Sequence, residues 1–433
     1  MIAEARRASF EFLCKIELKG IFSDDVLNSK EMAQLEEHDR RLSAEIVYGT
    51  LRWRALLDFE LGRLCSRSYA DADARAKTLL RMSAYQLKFM DRVPDHAVVF
   101  DAVELAKMHV KGRSDAFVNG VLRRLIREGA RKKRDVQKTV PQWIQVSLPE
   151  WLWQRWSTRF GEERARQYAL SLNQPSRSVL WFPAGADPSN PMFDNRVASD
   201  VIPGAFRWTS GKMGQCRASI GGCHIQDEAS LLIPMLPGDV SGDVIWDVCA
   251  APGGKAAVLC QRGGAKSFVA ASDQSWNRLK LLQRTLKNGG YKNYAVVQVD
   301  ASQPVPFKAS FDVVMADVPC SCLGTLRRNP EIKWRFSPEN LPKLQRRQLR
   351  ILESAAMAVK VGGKLLYSTC STEPEENEDV VKAFLKTHQN FRTIAPNYPP
   401  GIESWLGTDG YLRTYPANRL WDGFFAALMT RNK

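Results

Sequence analysis

The C-terminal half of the sequence predicts an α/β fold, preceded by an all-α domain and a small mixed connecting subdomain. Short apolar runs alternate with helical stretches from about residue 238 onward, which is typical of a doubly wound, parallel sheet. The first 138 residues instead show apolar side chains at helical spacing and almost no strand pattern. We therefore expect three domains, at residues 1–138, 139–237 and 238–433.

The first domain is expected to be a helical bundle with a basic face. Apolar residues recur at helical spacing from Val98 to Ala106 and again from Phe117 to Leu125. Basic side chains follow on the second of these helices and in a run just after it, which makes them candidates for contacts with phosphate groups. They are Arg123, Arg124, Arg127 and the run Arg131-Lys132-Lys133-Arg134, whereas Asn119 is expected to be a structural cap or turn residue.

The connecting subdomain, residues 139–237, combines helical and irregular patterns. Four tryptophans cluster around a helix predicted near 149–172, and short apolar runs broken by prolines and glycines follow Pro175. Beyond it, strands are predicted at 244–248, 268–271, 295–299, 313–316, 365–367 and 424–429, with helices at 276–287 and 341–360. Acidic residues and cysteines follow several of these strands, at the edge where open α/β sheets bind ligands.

One string, from Asp247 to Lys255, joins a strand to a helix through a Gly-Gly turn. Glycines let the backbone approach a ligand closely, and a helix N-terminus offers N–H groups to an anion. Asp273 and Asp300 end the next two strands and serve either as helix caps or as ligands for ribose and adenine. Because no Gly-x-Gly-x-x-Gly occurs, a mononucleoside cofactor such as S-adenosylmethionine is favoured over a dinucleotide.

Two cysteines stand immediately beyond neighbouring strands. Cys320 follows Asp317, and Cys370 follows the next strand. A buried cysteine is usually a small apolar side chain, but a thiolate is also the nucleophile that activates a pyrimidine, by adding to carbon 6 so that carbon 5 accepts a methyl group. Thr372-Glu373-Pro374-Glu375 is typical of a capping box, which would place Cys370 just before a helix N-terminus that favours its thiolate.

Composition restricts the partners. The chain has 62 Lys and Arg against 47 Asp and Glu, a formal net charge of +15. This excess indicates an anionic partner, nucleic acid before membrane, or a merely solvated basic surface. No signal peptide or membrane-spanning run is evident, so we expect a cytoplasmic protein. None of the nine cysteines occurs in Cys-x-x-Cys spacing, and we expect no metal site.

The motifs together resemble the RNA cytosine-5 methyltransferase family, also called the Nol/Nop/Sun family, over residues from about 224 to 430. The matching strings are Gln226-Asp227-Glu228-Ala229-Ser230, Asp247 to Lys255, Asp317-Val318-Pro319-Cys320-Ser321, Gly324-Thr325-Leu326-Arg327-Arg328-Asn329-Pro330, Ile332-Lys333-Trp334, Ser368-Thr369-Cys370-Ser371, Pro374-Glu375-Glu376-Asn377 and Asp422-Gly423-Phe424-Phe425. The resemblance implies a Rossmann-like methyltransferase domain that uses S-adenosyl-L-methionine.

The N-terminal domain resembles the NusB-like RNA-binding fold. The matching strings are Asp39-Arg40, Tyr48-Gly49-Thr50-Leu51-Arg52, Val93-Pro94, Ala102-Val103-Glu104-Leu105-Ala106-Lys107 and Phe117-Val118-Asn119-Gly120-Val121-Leu122-Arg123. Joined to the catalytic domain, it resembles the bacterial branch of the family that methylates small-subunit (16S) ribosomal RNA. That branch implies an RNA partner, no membrane and no metal, and we expect a monomer.

The resemblance also implies roles for individual residues. Asp273 would bind the ribose, Asp300 the adenine edge, and Asp317 would lie by the cofactor and hydrogen-bond the target cytosine. Cys370 would be the nucleophile and Cys320 would help to release the product, a choice between the cysteines that spacing alone does not make. The implied cofactor-binding set is Cys249, Ala250, Ala251, Pro252, Gly253, Gly254, Lys255, Asp273, Asp300 and Asp317.

Two departures from the family pattern stand out. Ala256 replaces a frequent threonine, and Leu180-Trp181-Phe182-Pro183 stands where the family has Arg-x-Asn, which leaves RNA contacts by the connecting subdomain open. The alternatives are the same chemistry on transfer RNA, a catalytically inactive RNA-binding assembly protein, and a small-molecule methyltransferase. The retained cysteines and cofactor loop disfavour the inactive protein, the basic helical domain disfavours the small-molecule enzyme, and the NusB-like domain disfavours a DNA enzyme.

Overall fold

The computed structural model describes residues 2–65, 69–112, 114–129, 140–177, 179–182, 196–208, 224–415 and 421–432. The chain forms two compact units. The helical unit comprises Met1–Pro175 and Leu326–Arg335, and the sheet unit comprises Ser176–Thr325 and Phe336–Lys433. Within the described ranges, no helix is both long and apolar enough to cross a membrane.

The helical unit has the all-α architecture that the spacing predicts. One apolar core is shared by its N-terminal helices, with fully buried side chains such as Leu13, Leu57, Leu79, Leu105 and Leu122. The helices run over Glu4–Lys19, Ser23–Leu27, Lys30–Gln34, Glu37–Arg52, Arg54–Leu64, Ala74–Phe89, Asp95–His109, Ser114–Arg127, Gln142–Gln145, Glu150–Phe160, Glu162–Leu172 and Ile332–Arg335, with a 3₁₀ turn at Tyr69–Asp71.

The single helix predicted near 149–172 is wrong, because two helices cover that stretch. Glu150–Phe160 and Glu162–Leu172 are separated by Gly161, whose φ is +80° and ψ is 154°. A glycine adopts this conformation at little cost, and it ends one helix and starts the next.

The segment Leu326–Arg335 is held in the helical unit by a buried lysine. Lys333 is only 2% exposed. Its Nζ donates hydrogen bonds to the backbone oxygens of Arg52 at 2.8 Å and Ser147 at 2.7 Å, and lies 3.4 Å from Asn173 Oδ1. Burial lowers the pKa of Lys333 well below its usual value. Since Arg52 ends a helix, the lysine supplies a donor to a carbonyl that has no partner within that helix.

Neighbouring residues of the segment add hydrogen bonds to the same unit. Trp334 Nε1 donates to the Leu51 oxygen at 2.7 Å. Glu331 Oε1 accepts from the Ser23 N–H at 2.9 Å, at the first residue of a short helix. The chain therefore leaves the sheet unit after Thr325, is fixed within the helical unit, and returns at Phe336.

The sheet unit contains a small antiparallel sheet and a large mixed one. The small sheet has the order β2-β3-β1-β4, and the large sheet has the order β10-β12-β9-β8-β5-β6-β7, with β11 paired to β12. The strands are β1 Val179–Trp181, β2 Arg196–Ala198, β3 Ala205–Trp208, β4 His224–Ile225, β5 Val244–Asp247, β6 Phe268–Asp273, β7 Tyr294–Gln298, β8 Phe311–Asp317, β9 Val359–Thr369, β10 Phe391–Thr393, β11 Leu412–Arg413 and β12 Phe425–Arg431.

Within the large sheet, the neighbouring strands β9, β8, β5, β6 and β7 pair in parallel in that order. β12 pairs antiparallel with β9. The order reverses between β5 and β8, so the sheet is doubly wound as predicted. The helices of the unit are Glu228–Leu232, Gly254–Gly263, Trp276–Asn288, Leu341–Met357 and Glu378–Thr387, with 3₁₀ turns at Ile233–Met235, Gly264–Lys266, Pro338–Asn340, Pro374–Glu376 and Glu403–Trp405.

Two predicted boundaries need correction. The helix predicted to reach Lys360 ends at Met357, and the strand predicted at 365–367 is the eleven-residue β9. β9 begins early because Val359 pairs with Phe311 of β8 before a register shift. The three-domain division at residues 138 and 237 stays a prediction. The basic run at 131–134, together with Pro183, Cys216 and Cys223, lies outside the described residues.

Candidate active site

Polar side chains follow three adjacent strands at the carboxyl edge of the large sheet. β5 ends at Asp247, β8 ends at Asp317, and β9 ends directly before Cys370. In the parallel pairing of β8 with β9, Asp317 lies opposite Ser368. This edge includes the point where the strand order reverses, which is where open α/β sheets bind ligands.

At two positions of the loop after β5, only a glycine fits. Gly253 has a φ of +110°, and a Cβ there would lie 3.0 Å from Thr285. A Cβ at Gly254 would lie 2.5 Å from the Gln226 side chain. Both would force a neighbour to move. The helix Gly254–Gly263 starts here, so its first N–H groups are available to an anionic group such as a carboxylate.

Lys255, the second residue of that helix, forms an ion pair across the strand ends. Its Nζ lies 2.8 Å from Asp317 Oδ2, and Asp317 Oδ1 accepts a hydrogen bond from Ser368 Oγ at 2.8 Å. Burial lowers the pKa of Lys255, but the charge and hydrogen bond of Asp317 outweigh it, and the pKa is raised. Lys255 is therefore a cation and fixes the position of the Asp317 carboxylate.

Asp247 is a buried acid at the end of β5, next to the glycine loop. It is 1% exposed, and among the described residues neither carboxylate oxygen has a hydrogen-bond partner. Burial first, and then repulsion by Asp317, raises the pKa of Asp247 well above its usual value. A buried acceptor without donors is costly, so this carboxyl next to the glycine loop is suited to a ligand that brings N–H donors.

Asp273 and Asp300 line one open cleft of about 290 Å³, together with Cys249 and Arg278. Each aspartate also accepts a hydrogen bond from the backbone N–H two residues further along the chain, at 2.9 and 3.0 Å. Asp273 Oδ2 lies 3.1 Å from Arg278. The helix-cap function expected for these aspartates is wrong, because Ser275 caps the helix after Asp273 and a turn, not a helix, follows Asp300. Their local turn contacts leave both side chains in the cleft wall, where a ligand could reach them.

Cys320 and Cys370 lie together. Their Sγ atoms are 3.2 Å apart. A third cysteine, Cys322, joins them, and the three Sγ atoms all lie within 4.8 Å of one another. Cys322 has a φ of +59°, a backbone conformation uncommon for a residue other than glycine. Each of the three is half-buried.

The three thiols influence each other's ionisation. Hydrogen bonds from Cys320 and Cys370 lower the pKa of Cys322 well below its usual value. Hydrogen bonds to Cys322 and Cys370, together with burial, raise the pKa of Cys320. The hydrogen bond with Cys320 lowers the pKa of Cys370, but the hydrogen bond with Cys322, burial and the charge of Asp317 together raise it. Of the three thiols, Cys322 therefore loses its proton most readily, because the neighbouring sulfurs form hydrogen bonds with its thiolate.

One carboxylate connects the two cysteine loops. Glu376 is fully buried, and it accepts hydrogen bonds from the N–H of Ser321 at 2.8 Å and from its hydroxyl at 2.5 Å. It also accepts from the hydroxyl of Ser371 at 2.5 Å and from Gln348 Nε2 at 2.9 Å. Ser321 follows Cys320 and Ser371 follows Cys370, so Glu376 fixes the backbone next to both thiols.

The predicted capping box after Cys370 is wrong. Pro374–Glu376 is a 3₁₀ turn, and the α-helix begins only at Glu378. Ser371 Oγ accepts from the Glu373 N–H, which makes a local turn instead of a helix cap. Cys370 is therefore not next to a helix N-terminus, and the expected lowering of its pKa by a helix dipole does not apply.

Three residues of the site have functions that the sequence alone does not indicate. Asp247 begins the glycine-loop string, yet nothing in the string shows that its carboxylate lacks a donor. Glu376 occurs in a string typical of the family, without an indicated role. Cys322 has no sequence signal of its own, because its proximity to Cys370 depends on the pairing of β8 with β9.

The candidate RNA-binding arginines lie on one helix of the helical unit. Arg123, Arg124 and Arg127 are exposed on Ser114–Arg127. Arg123 Nε donates to Asn119 Oδ1 at 2.9 Å, so Asn119 lies within the helix as a partner for an arginine and not as a cap. Arg124 also lies 3.4 Å from Glu128.

Comparison with known proteins agrees with these two units. The family description "16S rRNA methyltransferase RsmB/F" matches residues 236–430, and the NusB family matches residues 3–127. Ribosomal RNA small subunit methyltransferase B of Thermus thermophilus is 32% identical over 91% of this chain and 89% of its own length. The protein of the same name from Pseudomonas putida is 32% identical over 94% of each.

The fold comparison gives the same architecture. The crystal structure of PH0851 aligns with a TM-score of 0.81 at 22% identity over the full length of both chains. The predicted α/β fold with its N-terminal NusB-like domain is thereby confirmed, as is the resemblance to this family. The chain belongs to the 16S rRNA methyltransferase RsmB/F family, whose cofactor is S-adenosyl-L-methionine.

Proposed function

We propose that the protein methylates carbon 5 of a cytosine in small-subunit (16S) ribosomal RNA, through a covalent bond between Cys370 and carbon 6 of the base. The observation that carries the proposal is the pair of cysteine sulfurs 3.2 Å apart, beside the Lys255–Asp317 ion pair. A methyltransferase that modifies a nucleophilic oxygen or nitrogen needs no such pair. Carbon 5 of cytosine needs a thiol, because it is a poor nucleophile until carbon 6 carries an added group.

The cofactor fits the residues of the glycine loop and the cleft. Asp247 would accept hydrogen bonds from the amino group of its methionine part, and the N–H groups of Gly254 and Lys255 would bind the carboxylate. Asp273 and Asp300 would bind the ribose and the adenine edge. The positions Cys249 to Pro252 complete the loop. When bound, the cofactor supplies an electrophilic methyl group.

The target base must leave its stack to reach the site. Asp317 would hydrogen-bond the exocyclic amino group of the cytosine, because its carboxylate is fixed by Lys255 and Ser368. Cys370 would then lose its proton to solvent and add to carbon 6 as a thiolate, which the hydrogen bond with Cys320 favours. Lys255 lies close enough to influence the charge of Cys370, and it stabilises the negative charge in this region.

Product release requires a base, since carbon 5 carries both a hydrogen and the new methyl group after the transfer. Loss of that proton restores the double bond and expels the Cys370 thiolate. We assign Cys320 to this step, because its Sγ adjoins that of Cys370 and lies on the loop after Asp317. The hydrogen bonds with Cys322 and Cys370 and the charge of Cys370 raise the pKa of Cys320 in the free protein, and those of Cys370 no longer act once its sulfur is bonded to carbon 6. Cys320 would then lose its own proton to solvent and accept the carbon-5 proton as a thiolate. The ordering of both loops by Glu376 would keep the two thiols in place while the base is bound.

The RNA substrate is proposed from three features. The relatives are named as ribosomal RNA small subunit methyltransferases, the helical unit matches the NusB family, and the chain carries a net charge of +15. A basic surface contributes binding energy by neutralising phosphates. Bisulfite sequencing of ribosomal and transfer RNA, from cells with and without the gene, tests the substrate. If the gene protected a cytosine from bisulfite conversion only in transfer RNA, the proposed ribosomal RNA substrate would be contradicted.

Covalent trapping tests the chemistry. Cys320→Ala should accumulate an RNA–protein adduct that survives denaturing electrophoresis, in the presence of S-adenosylmethionine, because the bond forms but is not released. Cys370→Ala should give neither adduct nor 5-methylcytosine. The double variant should behave like Cys370→Ala.

Two outcomes would reject this assignment. Adduct in Cys370→Ala and none in Cys320→Ala would make Cys320 the nucleophile. The absence of adduct from every variant, with methylation nearly unchanged, would mean that both cysteines only pack. Cys65→Ala, which changes a half-buried cysteine of the helical unit, is the matched control and should methylate normally.

A further inference from the structure

The three-cysteine cluster contains one thiol more than the proposed chemistry uses. Cys322 lies in the loop between Cys320 and the segment that enters the helical unit, and its Sγ lies within 4.8 Å of the other two. Its φ of +59° is the left-handed conformation that a cysteine rarely adopts. A backbone held in this way at a thiol cluster calls for a functional explanation.

The spacing of the sulfurs matches that of a metal-thiolate site. In a tetrahedral zinc site with Zn–S bonds of about 2.3 Å, the sulfurs lie about 3.8 Å apart. Here the sulfurs of Cys320 and Cys370 are 3.2 Å apart and every pair is within 4.8 Å, so shifts of about 1 Å or less would produce that geometry. Among the described residues, this is the one group of histidines, cysteines and acids whose ligand atoms meet so closely.

The loop that carries the thiols is well fixed. The Gly324 N–H donates to the Cys370 oxygen at 2.9 Å, and the Thr325 N–H donates to the Cys322 oxygen at 2.9 Å. Ser321, between the two cysteines of this loop, is held by Glu376. Such hydrogen bonds around the ligand residues are what orients the ligands of a metal site.

Three thiolates around a divalent cation would give the site a net charge of −1. Lys255, whose Nζ lies 2.8 Å from Asp317 Oδ2, places a positive charge at the same edge of the sheet. Each of the three cysteines is partly exposed, and a water molecule would serve as the fourth ligand of the cation.

We propose that Cys320, Cys322 and Cys370 bind a thiophilic divalent cation, Zn²⁺, and that its binding inhibits the enzyme. Binding forms three metal–sulfur bonds, and each sulfur that still carries a proton releases it to solvent. The inhibition rests on the proposed function, because it requires Cys370 to be the nucleophile. The binding does not, since it depends on the sulfur positions alone.

Zinc and cobalt titrations of the chelator-treated full-length protein, without RNA or S-adenosylmethionine, test the binding. Competition with a chromophoric chelator should give one Zn²⁺ per chain. Co²⁺ should produce the thiolate-to-metal absorption in the ultraviolet and the visible bands of a tetrahedral site. Cys322→Ser should weaken zinc binding by at least about tenfold and remove the cobalt bands, because serine is a poor ligand for a soft cation.

Cys65→Ser is the matched control and should leave both titrations unchanged. Equal zinc affinity in the original protein and Cys322→Ser, or a cobalt spectrum without thiolate absorption, would overturn the proposal.

The inhibition is measured separately, as methyl transfer at increasing Zn²⁺. The zinc concentration that halves the rate should rise at least about tenfold in Cys322→Ser, with each protein compared with its own zinc-free rate. Stoichiometric zinc binding with no inhibition would overturn the inhibitory part and would also argue against Cys370 as the nucleophile. Failure of zinc to bind would leave the covalent trapping result unaffected.

Discussion

The Sγ atom of Cys320 lies 3.2 Å from the Sγ atom of Cys370, although the two residues are fifty positions apart in the sequence. The contact arises because β8 and β9 are parallel neighbours, with Asp317 opposite Ser368, so that the loops after both strands start at the same edge. Two thiols in contact can divide a reaction between them, with one bonding to the base and the other assisting release.

S-adenosylmethionine binding is expected to release a proton from Asp247. In the free protein, burial and Asp317 raise the pKa of this acid, so it keeps its proton at pH values below that raised pKa. The cationic amino group of the cofactor would favour the carboxylate and lower that pKa. Affinity should therefore increase as the pH rises towards the raised pKa of the free protein, and then level off. Calorimetry in buffers of different ionisation enthalpy measures the released proton.

Variants of two aspartates distinguish the release of a proton on cofactor binding from a loss of cofactor affinity. Asp247→Asn should bind the cofactor about tenfold to a hundredfold more weakly and release no proton, because it cannot ionise. Asp300→Ala should also bind more weakly, through loss of an adenine contact, but should keep the proton release. Proton release that persists in Asp247→Asn would show that another group titrates. Unchanged affinity in a folded Asp300→Ala would mean that the adenine site is elsewhere.

Glu376 should act as a positioning residue for the two thiols. Glu376→Gln replaces one of the two accepting carboxylate oxygens by an NH₂ group. That group cannot accept the hydrogen bonds that the carboxylate accepts from the hydroxyls of Ser321 and Ser371. Disorder of both loops should lower kcat by about tenfold to a hundredfold and change KM for S-adenosylmethionine little. The rate at which iodoacetamide alkylates Cys370 should change as well.

Glu339→Gln is the matched control, because Glu339 is exposed on a similar Pro-Glu turn. A loss of kcat in Glu376→Gln without any change in thiol alkylation would point to a role other than positioning.

Lys333 should stabilise the helical unit. Lys333→Met keeps the length of the side chain but leaves the Arg52 and Ser147 oxygens without their donor, at a cost of about 2 kcal/mol. Hydrogen exchange should accelerate in peptides that cover residues 37–65 and 142–148, and not in β5 or β6. Lys343→Met, at an exposed position, should leave exchange unchanged. Slow exchange preserved in Lys333→Met would mean that the carbonyls find other donors.

The same lysine should make the stability of the helical unit depend on pH. Because burial lowers the pKa of Lys333 in the folded chain, the unfolded chain holds more protons at pH values between the lowered value and 10.5. The free energy of unfolding should therefore increase with pH in this range. Lys333→Met should remove that slope, and a slope that remained in the variant would assign it to other groups.

RNA affinity should depend on the charge of the helix Ser114–Arg127. Reversing the charge of Arg123 and Arg127 together should weaken RNA binding and reduce its dependence on salt, because fewer phosphates are neutralised. Replacing both by lysine keeps the charge and is the control. Equal affinity and equal salt slope in the charge-reversed protein would show that this face is only solvated.

The sequence alone determined the class of fold, and it predicted the edge of the sheet that would carry the site and the candidate residues there. Hydrophobic periodicity is a local property, so the alternating strands and helices, and the residues that follow each strand, can be predicted without knowing how the strands pair. The prediction of one helix near 149–172 is wrong because the helical spacing of apolar residues continues through Gly161. The prediction of a helix cap after Cys370 is wrong because the same capping sequence also fits a 3₁₀ turn.

Only the tertiary structure decided which of these residues meet. The third thiol of the cluster, the carboxylate shared by Ser321 and Ser371, the unpartnered Asp247 and the buried Lys333 all depend on contacts between segments far apart in the chain. For the thiol cluster and Glu376, these contacts depend on the parallel register of β8 and β9, whereas those of Lys333 depend on packing within the helical unit. Burial then decides the charge, because a carboxyl or an amine far from water titrates according to the few groups around it.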